Sequence, residues 1–363
     1  MENPKIALVH DWLTGLGGAE KVLKVFTEMF PEAPVYTLFY NKDFTDKFIP
    51  NTKIRPSSLQ KIYKYIKKQK LLLPMIPSAI ELIDLSKFDI VISSSVSFSK
   101  GVITGPETTH ICYCYSPTRF LWDWHREYSR ESKWKTPIKI IQHFFRIWDR
   151  HASERVDYFI AISKNVQKRI LKYYQRESKV IYSPAEILTP DFNLVKIKKP
   201  FYLIVSRLFS HKNIKIAIEA FNKLGYPLII IGRGPELNNL KKIANKNIKF
   251  LGRRSDKEVH SYYASCRAFI MPQEEDFGLT PIEAMMHGKP VLALRKGGAL
   301  EIVKEGINGE FFDDPTPEVL SDGLRRLNDN YKKYNPEEIK RTADKFSRPR
   351  FEAEVKAFLS SVS

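Results

Sequence analysis

Strand-like and helix-like hydrophobic patterns alternate along almost the entire chain. Between Ala19 and Phe30 the apolar residues recur about every 3.6 positions, which predicts an amphipathic helix. Ser163 is placed to be the N-cap of a further helix, Lys164–Tyr174. Short apolar runs predict strands at Ile6–Val9, Ile90–Ile92, Ile111–Tyr115, Tyr158–Ile162 and Val180–Tyr182. Because these runs are continuously apolar and separated by helices, they indicate a parallel sheet covered on both faces.

The alternation starts again after a segment of low periodicity, 183–200, which contains three prolines and which we interpret as an interdomain linker. The second half predicts strands at Phe201–Val205, Leu228–Ile231, Ile248–Leu251, Ala268–Met271 and Pro290–Ala293. A chain of 363 residues is long enough for two domains. We therefore predict an α/β protein with domains at about 1–183 and 190–345, followed by a final helix within 349–363.

Charge and composition restrict the partners and the compartment. The net charge of +18 favours anionic partners such as nucleic acid, anionic lipid or phosphorylated substrates. No apolar run approaches the roughly 18–20 residues of a membrane span, and the first residues lead directly into a strand without a signal-peptide pattern. The three cysteines form neither a disulfide framework nor a zinc pattern. We expect a cytoplasmic protein.

Two basic amphipathic segments are candidates for contact with a membrane surface. Leu59–Leu73 mixes five lysines with apolar residues and tyrosines, and Lys133–Arg150 carries tryptophan, isoleucine and phenylalanine among basic residues. Such segments can lie on an anionic bilayer, although a core-packed helix with a solvated basic face gives the same pattern. We predict peripheral contact with the inner face of the cytoplasmic membrane through Leu59–Leu73.

The run from Glu275 to Glu283 is the most informative part of the sequence. It follows an apolar strand, passes through Phe277-Gly278-Leu279 and enters a helical pattern after Thr280. A glycine turn between a strand and a helix directs backbone N–H groups and the helix dipole at one point, which suits an anion. The two flanking carboxylates suit hydroxyl groups, because ionised carboxylates only accept hydrogen bonds. A ligand with phosphates and many hydroxyls is a nucleotide sugar.

Two further turns follow predicted strands. Arg207 leaves the first strand of the second half, and Lys212 follows five residues later. At the carboxyl end of a parallel strand, these two cations can neutralise a diphosphate. The run Gly15–Glu20 follows the first strand and allows backbone to approach a phosphate, although it matches neither the dinucleotide fingerprint nor the P-loop.

With these motifs in order along the chain, the sequence resembles glycosyltransferase family 4, a retaining family with the GT-B fold. The resemblance covers nearly the full length. It implies two Rossmann-like domains facing a central cleft, an amino-terminal domain for the acceptor and a carboxy-terminal domain for the nucleotide sugar. It also implies that the helix within 349–363 crosses back to the first domain. The matching pieces are Gly17–Glu20, Val205–Leu208 with Lys212, Gly232–Glu236, Phe250–Arg253, Glu275–Glu283, Gly288–Val291 and Gly297–Gly298 with Glu301.

The resemblance also implies roles for individual residues. Arg207 and Lys212 would hold the donor diphosphate, and Glu275 would accept hydrogen bonds from sugar hydroxyls. Glu283 would bind the ribose hydroxyls. The remaining implied donor contacts are Gly17, Gly18, Gly252, Arg253, Phe277, Gly278, Leu279 and Thr280. The family needs no divalent metal and the sequence has no Asp-x-Asp donor motif, so we expect neither a metal nor another cofactor.

The segment Ile111–Asp123 looks like that of bacterial mannosyltransferases of O-antigen and capsule assembly. Many of these relatives have a histidine where this chain has Tyr115, which can form a hydrogen bond but carries no charge near neutral pH. Tyr115, Arg119 and Asp11 are our candidates for contact with the sugar or the acceptor, whereas we interpret His10 as structural.

The implied activity is transfer of a hexose, with retention of configuration, onto a lipid-linked or growing surface polysaccharide. GDP-mannose is the first choice of donor, and UDP- or ADP-hexoses are alternatives. A nucleotide-sugar epimerase of the same fold is a second hypothesis. A nucleic-acid binder would explain the net charge of +18 but leaves Glu275 and Glu283 without a purpose, so we predict no nucleic-acid partner.

Overall fold

A computed structural model of the chain describes residues 4–66, 69–125, 135–195 and 199–362. The chain divides into two compact units. The amino-terminal unit contains Met1–Tyr182 and Glu352–Ser363, and the carboxy-terminal unit contains Ser183–Phe351. Each unit is built around one parallel sheet, which confirms the predicted pair of Rossmann-like units.

The amino-terminal sheet has seven parallel strands in the order β3-β2-β1-β4-β5-β6-β7. Its strands are β1 (Ile6–His10), β2 (Val35–Thr37), β3 (Ile54–Pro56), β4 (Ile90–Ser95), β5 (Thr109–Cys114), β6 (Tyr158–Ala161) and β7 (Lys179–Val180). Strands β2 and β3 have three residues each, too few for a hydrophobic pattern, and they were not predicted. The strand order reverses between β1 and β4, which is the switch point where open α/β sheets bind ligands.

The helices of this unit pack against its sheet and bury a large apolar cluster. They are α1 (Gly18–Met29), α2 (Lys42–Phe48), α3 (Leu59–Ile66), α4 (Gln69–Leu72), α5 (Ile76–Glu81), α6 (Lys135–Glu154) and α7 (Lys164–Tyr174), with short 3-10 helices at Leu73–Met75 and Ser99–Gly101. The core packs Val9 and Val91 of the sheet against Ile80, Phe98 and Phe145. Helix α7 begins as predicted, because the Ser163 side chain accepts a hydrogen bond from the Val166 N–H at 3.0 Å.

The carboxy-terminal sheet has six parallel strands in the order β10-β9-β8-β11-β12-β13. They are β8 (Tyr202–Val205), β9 (Leu228–Ile231), β10 (Ile248–Gly252), β11 (Ala268–Met271), β12 (Val291–Leu294) and β13 (Gly309–Phe312). In this unit the order reverses between β8 and β11, so its switch point lies where those two strands end.

The helices of the carboxy-terminal unit alternate with its strands. They are α8 (Ile214–Leu224), α9 (Leu237–Ile243), α10 (Asp256–Ser265), α11 (Leu279–Met286), α12 (Ala299–Ile302), α13 (Pro317–Asp329) and α14 (Pro336–Ala343), with 3-10 helices at Phe192–Leu194, Ser210–Lys212, Tyr331–Lys333 and Asp344–Phe346. The last helix, α15 (Arg348–Val362), begins in this unit, and its residues from Glu352 onward belong to the amino-terminal unit.

The segment interpreted as a linker belongs structurally to the carboxy-terminal unit from Ser183 onward. The Leu188 N–H donates to His260 Nδ1 at 3.3 Å, and the Asp191 N–H donates to Ser261 Oγ at 2.8 Å. These bonds tie the segment to α10. The low hydrophobic periodicity of this segment therefore reflects its irregular backbone, although the segment packs against the carboxy-terminal unit.

Leu59–Leu73, predicted to contact a membrane, and the second candidate segment, Lys133–Arg150, are partly packed and partly exposed. Lys67, Lys68, Lys133 and Trp134 lie outside the described residues. Over the part of the chain that the structure describes, no helix combines the length and apolar character needed to cross a bilayer.

Candidate functional site

The predicted cation and carboxylate meet at the switch point of the carboxy-terminal sheet. Lys212 follows β8 and Glu275 follows β11, and Lys212 Nζ lies 2.5 Å from Glu275 Oε1. Gln273 Nε2 donates to the same oxygen at 2.8 Å. The Lys212 side chain is only 10% exposed and that of Glu275 is 25% exposed, so the lysine is largely buried and the carboxylate is partly accessible.

Local backbone geometry brings these two residues together. The 3-10 helix Ser210–Lys212 ends at Asn213, which adopts the left-handed conformation with φ 52°. Asn213 Nδ2 donates to the Pro272 carbonyl at 3.3 Å. Asparagine tolerates left-handed backbone, and its amide links the loop after β8 to the loop after β11.

Arg207 lies on the exposed part of the same loop. Its guanidinium carbon is 5.6 Å from the centre of the Phe209 ring, so it contacts an aromatic residue that sequence reasoning did not select. The structure therefore joins Lys212 with Glu275 and places Arg207 on the outer side of the loop.

A glycine-containing turn after β9 shapes the Arg207 loop. The Leu208 N–H donates to the Arg233 carbonyl at 2.9 Å, and the Glu236 N–H donates to the Leu208 carbonyl at 3.1 Å. A Cβ at Gly234 would lie 2.2 Å from the Leu208 carbonyl oxygen. Only glycine permits this approach of two backbones.

The segment after Glu275 is held by a close approach of its backbone to Gly298. The Gly298 N–H donates to the Glu275 carbonyl at 2.8 Å, and a Cβ at Gly298 would lie 2.3 Å from the Phe277 carbonyl oxygen. The Phe277 ring is buried and packs edge-on against Phe346 with centroids 5.4 Å apart. Phe277 is thus an anchor of the turn, and a ligand would meet its backbone.

Gly278, with φ 113°, precedes α11 and makes the turn that sequence reasoning expected. Helix α11 begins at Leu279, two residues earlier than predicted, so the backbones of Leu279 and Thr280 form its amino terminus. The first N–H groups of a helix have no partner within the helix, and they carry the positive end of its dipole. This end is suited to an anion or an electron-rich sugar oxygen.

Glu283 lies within α11 and is 4% exposed. The Tyr263 hydroxyl of α10 donates to Glu283 Oε2 at 2.9 Å. Burial, and next the charge of Glu283, raise the pKa of Tyr263 well above its ordinary value, so the phenol keeps its proton and remains a donor. Tyr263 was missed because no local pattern links positions 263 and 283.

The last predicted contacts of this unit lie where β10 ends. Gly252 has φ 70°, and its carbonyl accepts from the Gly232 N–H at 2.9 Å. Arg253 follows it and is exposed. Both residues therefore lie at the carboxyl edge of the sheet, as the Rossmann-type ligand rule requires.

In the amino-terminal unit, the glycine turn leads directly into α1. Gly17 is the N-cap with an extended backbone, and Gly18 is the first helical residue. Tyr115 is 8% exposed, and its hydroxyl donates to the Ala19 carbonyl at 3.1 Å. Burial raises the pKa of Tyr115 well above its ordinary value. Its hydroxyl is therefore a neutral group that ties β5 to the glycine turn, and its contact with a sugar stays a prediction.

Asp11 has a structural role that the sequence did not reveal. Each carboxylate oxygen accepts two backbone N–H bonds of 2.6–2.9 Å, from the four consecutive residues Val96–Ser99. Asp11 is 1% exposed. This capping of the loop after β4 accounts for its burial, so the structure gives no support to the predicted contact with sugar or acceptor.

The loop after β5 is held by a buried ion pair that sequence reasoning missed. Lys100 Nζ lies 2.6 Å from Asp149 Oδ1, and both side chains are at most 1% exposed. Asp149 also accepts from Thr118 Oγ1 at 2.7 Å, from Trp122 Nε1 at 2.8 Å and from the Tyr174 hydroxyl at 2.8 Å. One carboxylate thus joins the ends of β4 and β5 to α6 and α7.

Arg119 lies in the loop that this carboxylate holds. Its guanidinium carbon is 4.2 Å from the centre of the Trp124 ring. Stacking on an aromatic face restrains the position of the guanidinium. Among the described residues no cluster of three or more His, Cys, Asp and Glu side chains could hold a metal ion.

Comparisons with known proteins agree with this architecture. Residues 189–345 match the family described as "Glycosyl transferases group 1". An uncharacterized glycosyltransferase of Methanocaldococcus jannaschii is 30% identical over 213 residues, 56% of this chain and 59% of that protein. The alpha-1,3/1,6-mannosyltransferase ALG2 of Candida glabrata is 25% identical over 366 residues, 82% of this chain and 78% of that protein.

The chain covers 59%, 40% and 54% of the lengths of three of its curated relatives. Its fold is similar to that of Anabaena Alr3699/HepE in complex with UDP, with a TM-score of 0.70, 19% identity, and coverage of 98% of this chain and 100% of that one. WaaG, a glycosyltransferase involved in lipopolysaccharide biosynthesis, gives a TM-score of 0.63 at 14% identity, with 95% of both chains covered. Residues 189–345, less than half of the chain, are thus similar to the Glycosyl transferases group 1 family, and the chain has the two-unit GT-B fold.

Proposed function

We propose that this protein transfers a hexosyl group from a nucleotide sugar to a hydroxyl group. The contact between Lys212 and Glu275 carries the proposal, because it places a cation and a carboxylate together at the switch point of the carboxy-terminal sheet. The amino terminus of α11 begins four residues after Glu275. A cation, a hydroxyl-accepting oxygen and a helix amino terminus together match a sugar diphosphate.

Each residue of this site would have a distinct role. Lys212 and the exposed Arg207 would neutralise the diphosphate, the former as a point charge and the latter through its guanidinium fork. Glu275 would accept from hydroxyls of the transferred sugar, using the part of its carboxylate that Lys212 leaves accessible. Glu283 would accept from the ribose, and the backbone of Gly252 with Arg253 would lie beside the base.

The proposed chemistry needs no enzymic base and no metal. The bond between the anomeric carbon and the phosphate oxygen breaks while the acceptor oxygen bonds to the same face of that carbon. The acceptor proton passes to the departing phosphate oxygen, so charge and atoms balance within the two substrates. Lys212 and Arg207 would stabilise the negative charge that grows on the diphosphate. Attack on the face that the phosphate leaves retains the anomeric configuration.

GDP-mannose is the donor that we propose first. The relatives named ALG2 are mannosyltransferases, which supports a mannosyl donor. The solved structure of Anabaena Alr3699/HepE with UDP-glucose favours the alternative of a UDP-hexose. A thermal-shift comparison of GDP-mannose, UDP-glucose and ADP-glucose separates these donors, because the bound sugar nucleotide raises the melting temperature by mass action.

Substitution of the paired residues tests the site itself. Lys212→Ala and Glu275→Ala should each abolish transfer while the fold is retained. Lys215→Ala is the matched control, because this lysine lies one turn away on α8 with its side chain 68% exposed in a surface pair with Glu219. Near-wild-type turnover in both site variants would overturn the assignment. Formation of an isomerised nucleotide sugar in the absence of an acceptor would instead favour the epimerase.

The acceptor that we propose is a lipid-linked or growing surface glycan, reached from an anionic membrane surface. The segment Leu59–Leu73 exposes Tyr65 by 90% and Leu71 by 62%, beside the exposed Lys61 and Lys64. Helix α6 exposes a second row of large apolar side chains, namely Ile140, Ile141, Phe144 and Ile147, by 45–64%. Apolar side chains beside lysines are the combination that binds anionic bilayers.

Vesicle flotation tests this contact. The chain should float with vesicles that contain phosphatidylglycerol and stay in solution with pure phosphatidylcholine. Tyr65→Ser with Leu71→Ser should reduce flotation, whereas Leu171→Ser on α7, 59% exposed, should not. Equal flotation of all variants, or no dependence on lipid charge, would contradict membrane contact through Leu59–Leu73.

A further inference from the structure

A buried histidine with a defined tautomer lies at the switch point of the amino-terminal sheet. His10 ends β1, is 1% exposed, and has its Nδ1 3.0 Å from the Ser94 carbonyl oxygen on the adjacent β4. A carbonyl oxygen only accepts hydrogen bonds, so Nδ1 carries the proton. The other ring nitrogen, Nε2, is then directed away from the sheet toward α1.

A chain of hydrogen bonds fixes the surroundings of this ring. The Tyr115 hydroxyl donates to the Ala19 carbonyl, so it must accept from Ser94 Oγ, which lies 2.9 Å away. Ser94 is also the residue to which His10 is bonded, through both its carbonyl and its hydroxyl. The chain runs from His10 through Ser94 and Tyr115 to Ala19, the residue that precedes Glu20.

Glu20 completes this arrangement from the first turn of α1. Its Oε1 lies 3.7 Å from His10 Nε2, and its side chain is 13% exposed. A Cβ at Gly17 would lie 2.7 Å from Glu20 Oε2. Gly17 has an extended backbone that any residue adopts, with φ −142°, and the Glu20 carboxylate folds back over it.

We propose that Glu20 binds a sugar hydroxyl of the substrate and that His10 positions its carboxylate. This inference rests on the proposed function and adds a binding residue in the amino-terminal unit. A carboxylate that lies at the switch point of a parallel sheet and is partly open to solvent accepts hydrogen bonds but cannot donate them, so it suits the hydroxyl groups of a sugar. The buried His10 makes no contact with the ligand and acts through Glu20.

The His10 ring limits where the Glu20 carboxylate can lie, because His10 Nε2 is 3.7 Å from Glu20 Oε1 and the ring itself is held by Ser94. Asparagine in place of His10 keeps a donor for the Ser94 carbonyl and deletes the group at Nε2, which separates positioning from folding.

The test compares the full-length wild type with Glu20→Ala and His10→Asn, using calorimetry with GDP-mannose and with GDP. Glu20→Ala should weaken the binding of GDP-mannose about tenfold, as expected for one hydrogen bond to a charged group, and leave the binding of GDP unchanged. His10→Asn should weaken the binding of GDP-mannose less, and the double variant should match Glu20→Ala alone. Glu28→Ala is the control, because Glu28 lies on the same helix with its side chain 38% exposed and pairs with Lys24 at the surface.

A second arm distinguishes the source of the hydroxyl. If it belongs to the acceptor, GDP-mannose binding stays unchanged and the KM for octyl mannoside rises about tenfold in Glu20→Ala with little change in kcat. Unchanged binding and unchanged KM, or equal weakening of GDP and GDP-mannose, overturn the role of Glu20. A wild-type chain that binds no nucleotide sugar at all overturns the proposed function, and this inference with it.

Discussion

Removal of Lys100 should strongly destabilise the amino-terminal unit. Asp149 is fully buried, and Lys100 supplies its only cationic contact among the hydrogen bonds of the described residues. Lys100→Met keeps the aliphatic stem and deletes the charge. The carboxylate then retains only the neutral donors of Thr118, Trp122 and Tyr174. Breaking a buried ion pair from one side costs about 3–5 kcal/mol, because the remaining charge is uncompensated.

The melting temperature provides a direct measure of this cost. A loss of about 1 kcal/mol lowers the melting temperature of domains of roughly 150–250 residues by about 2–4 °C, so we expect a decrease of about 6–20 °C. All five tryptophans lie between positions 12 and 148, within the amino-terminal unit. Tryptophan fluorescence therefore reports the unfolding of this unit separately from the other.

A second substitution distinguishes lost charge balance from lost packing. In Lys100→Met with Asp149→Asn, the amide oxygen can accept from Trp122 and Tyr174, while the amide NH2 donates to Thr118 Oγ1. The Thr118 hydroxyl can then turn to the Ser97 carbonyl, 3.2 Å away, which Lys100 no longer reaches. The double variant should thus be more stable than Lys100→Met alone. A single variant that loses less than about 1 kcal/mol, or a double variant that is less stable still, would refute the reasoning.

Three further predictions concern the carboxy-terminal unit. Burial, and next the charge of His260, lower the pKa of His287 to about 4, below its value in the unfolded chain. The unfolded state therefore binds this proton first as the pH falls, and the free energy of unfolding should decrease between about pH 6.5 and pH 4. His287→Gln should flatten this pH dependence, as measured by amide hydrogen exchange. Gly234→Ala should displace the Leu208 carbonyl, and with it the Arg207 loop, so that calorimetry with GDP shows weaker binding. Tyr263→Phe deletes the bond to Glu283, which should cost about 1–3 kcal/mol in thermal unfolding and raise the KM for GDP-mannose more than it changes kcat; an unchanged KM would contradict the role of Glu283.

Some features of this protein could be predicted from local sequence because their causes are local. Continuous apolar runs predicted the main strands, and helix α7 has the predicted bounds Lys164–Tyr174. The run from Glu275 to Glu283 indicated a strand, a glycine turn and a helix, and these are present. The hydrophobic periods of strands and helices, the helix caps and the turn residues each depend on a few neighbouring positions. A single sequence is therefore enough to predict these features.

Other features arise only when distant segments pack together. The four N–H bonds to Asp11 come from residues 85–88 positions away, and Tyr263 reaches Glu283 across 20 positions. The buried pair of Lys100 and Asp149 spans 49 positions with no pattern around either residue. The sequence by itself determined two α/β units and the position of one turn that suits phosphate. Tertiary packing decided which polar side chains are structural and which remain open to a ligand, because burial and hydrogen bonding depend on neighbours that the local sequence does not specify.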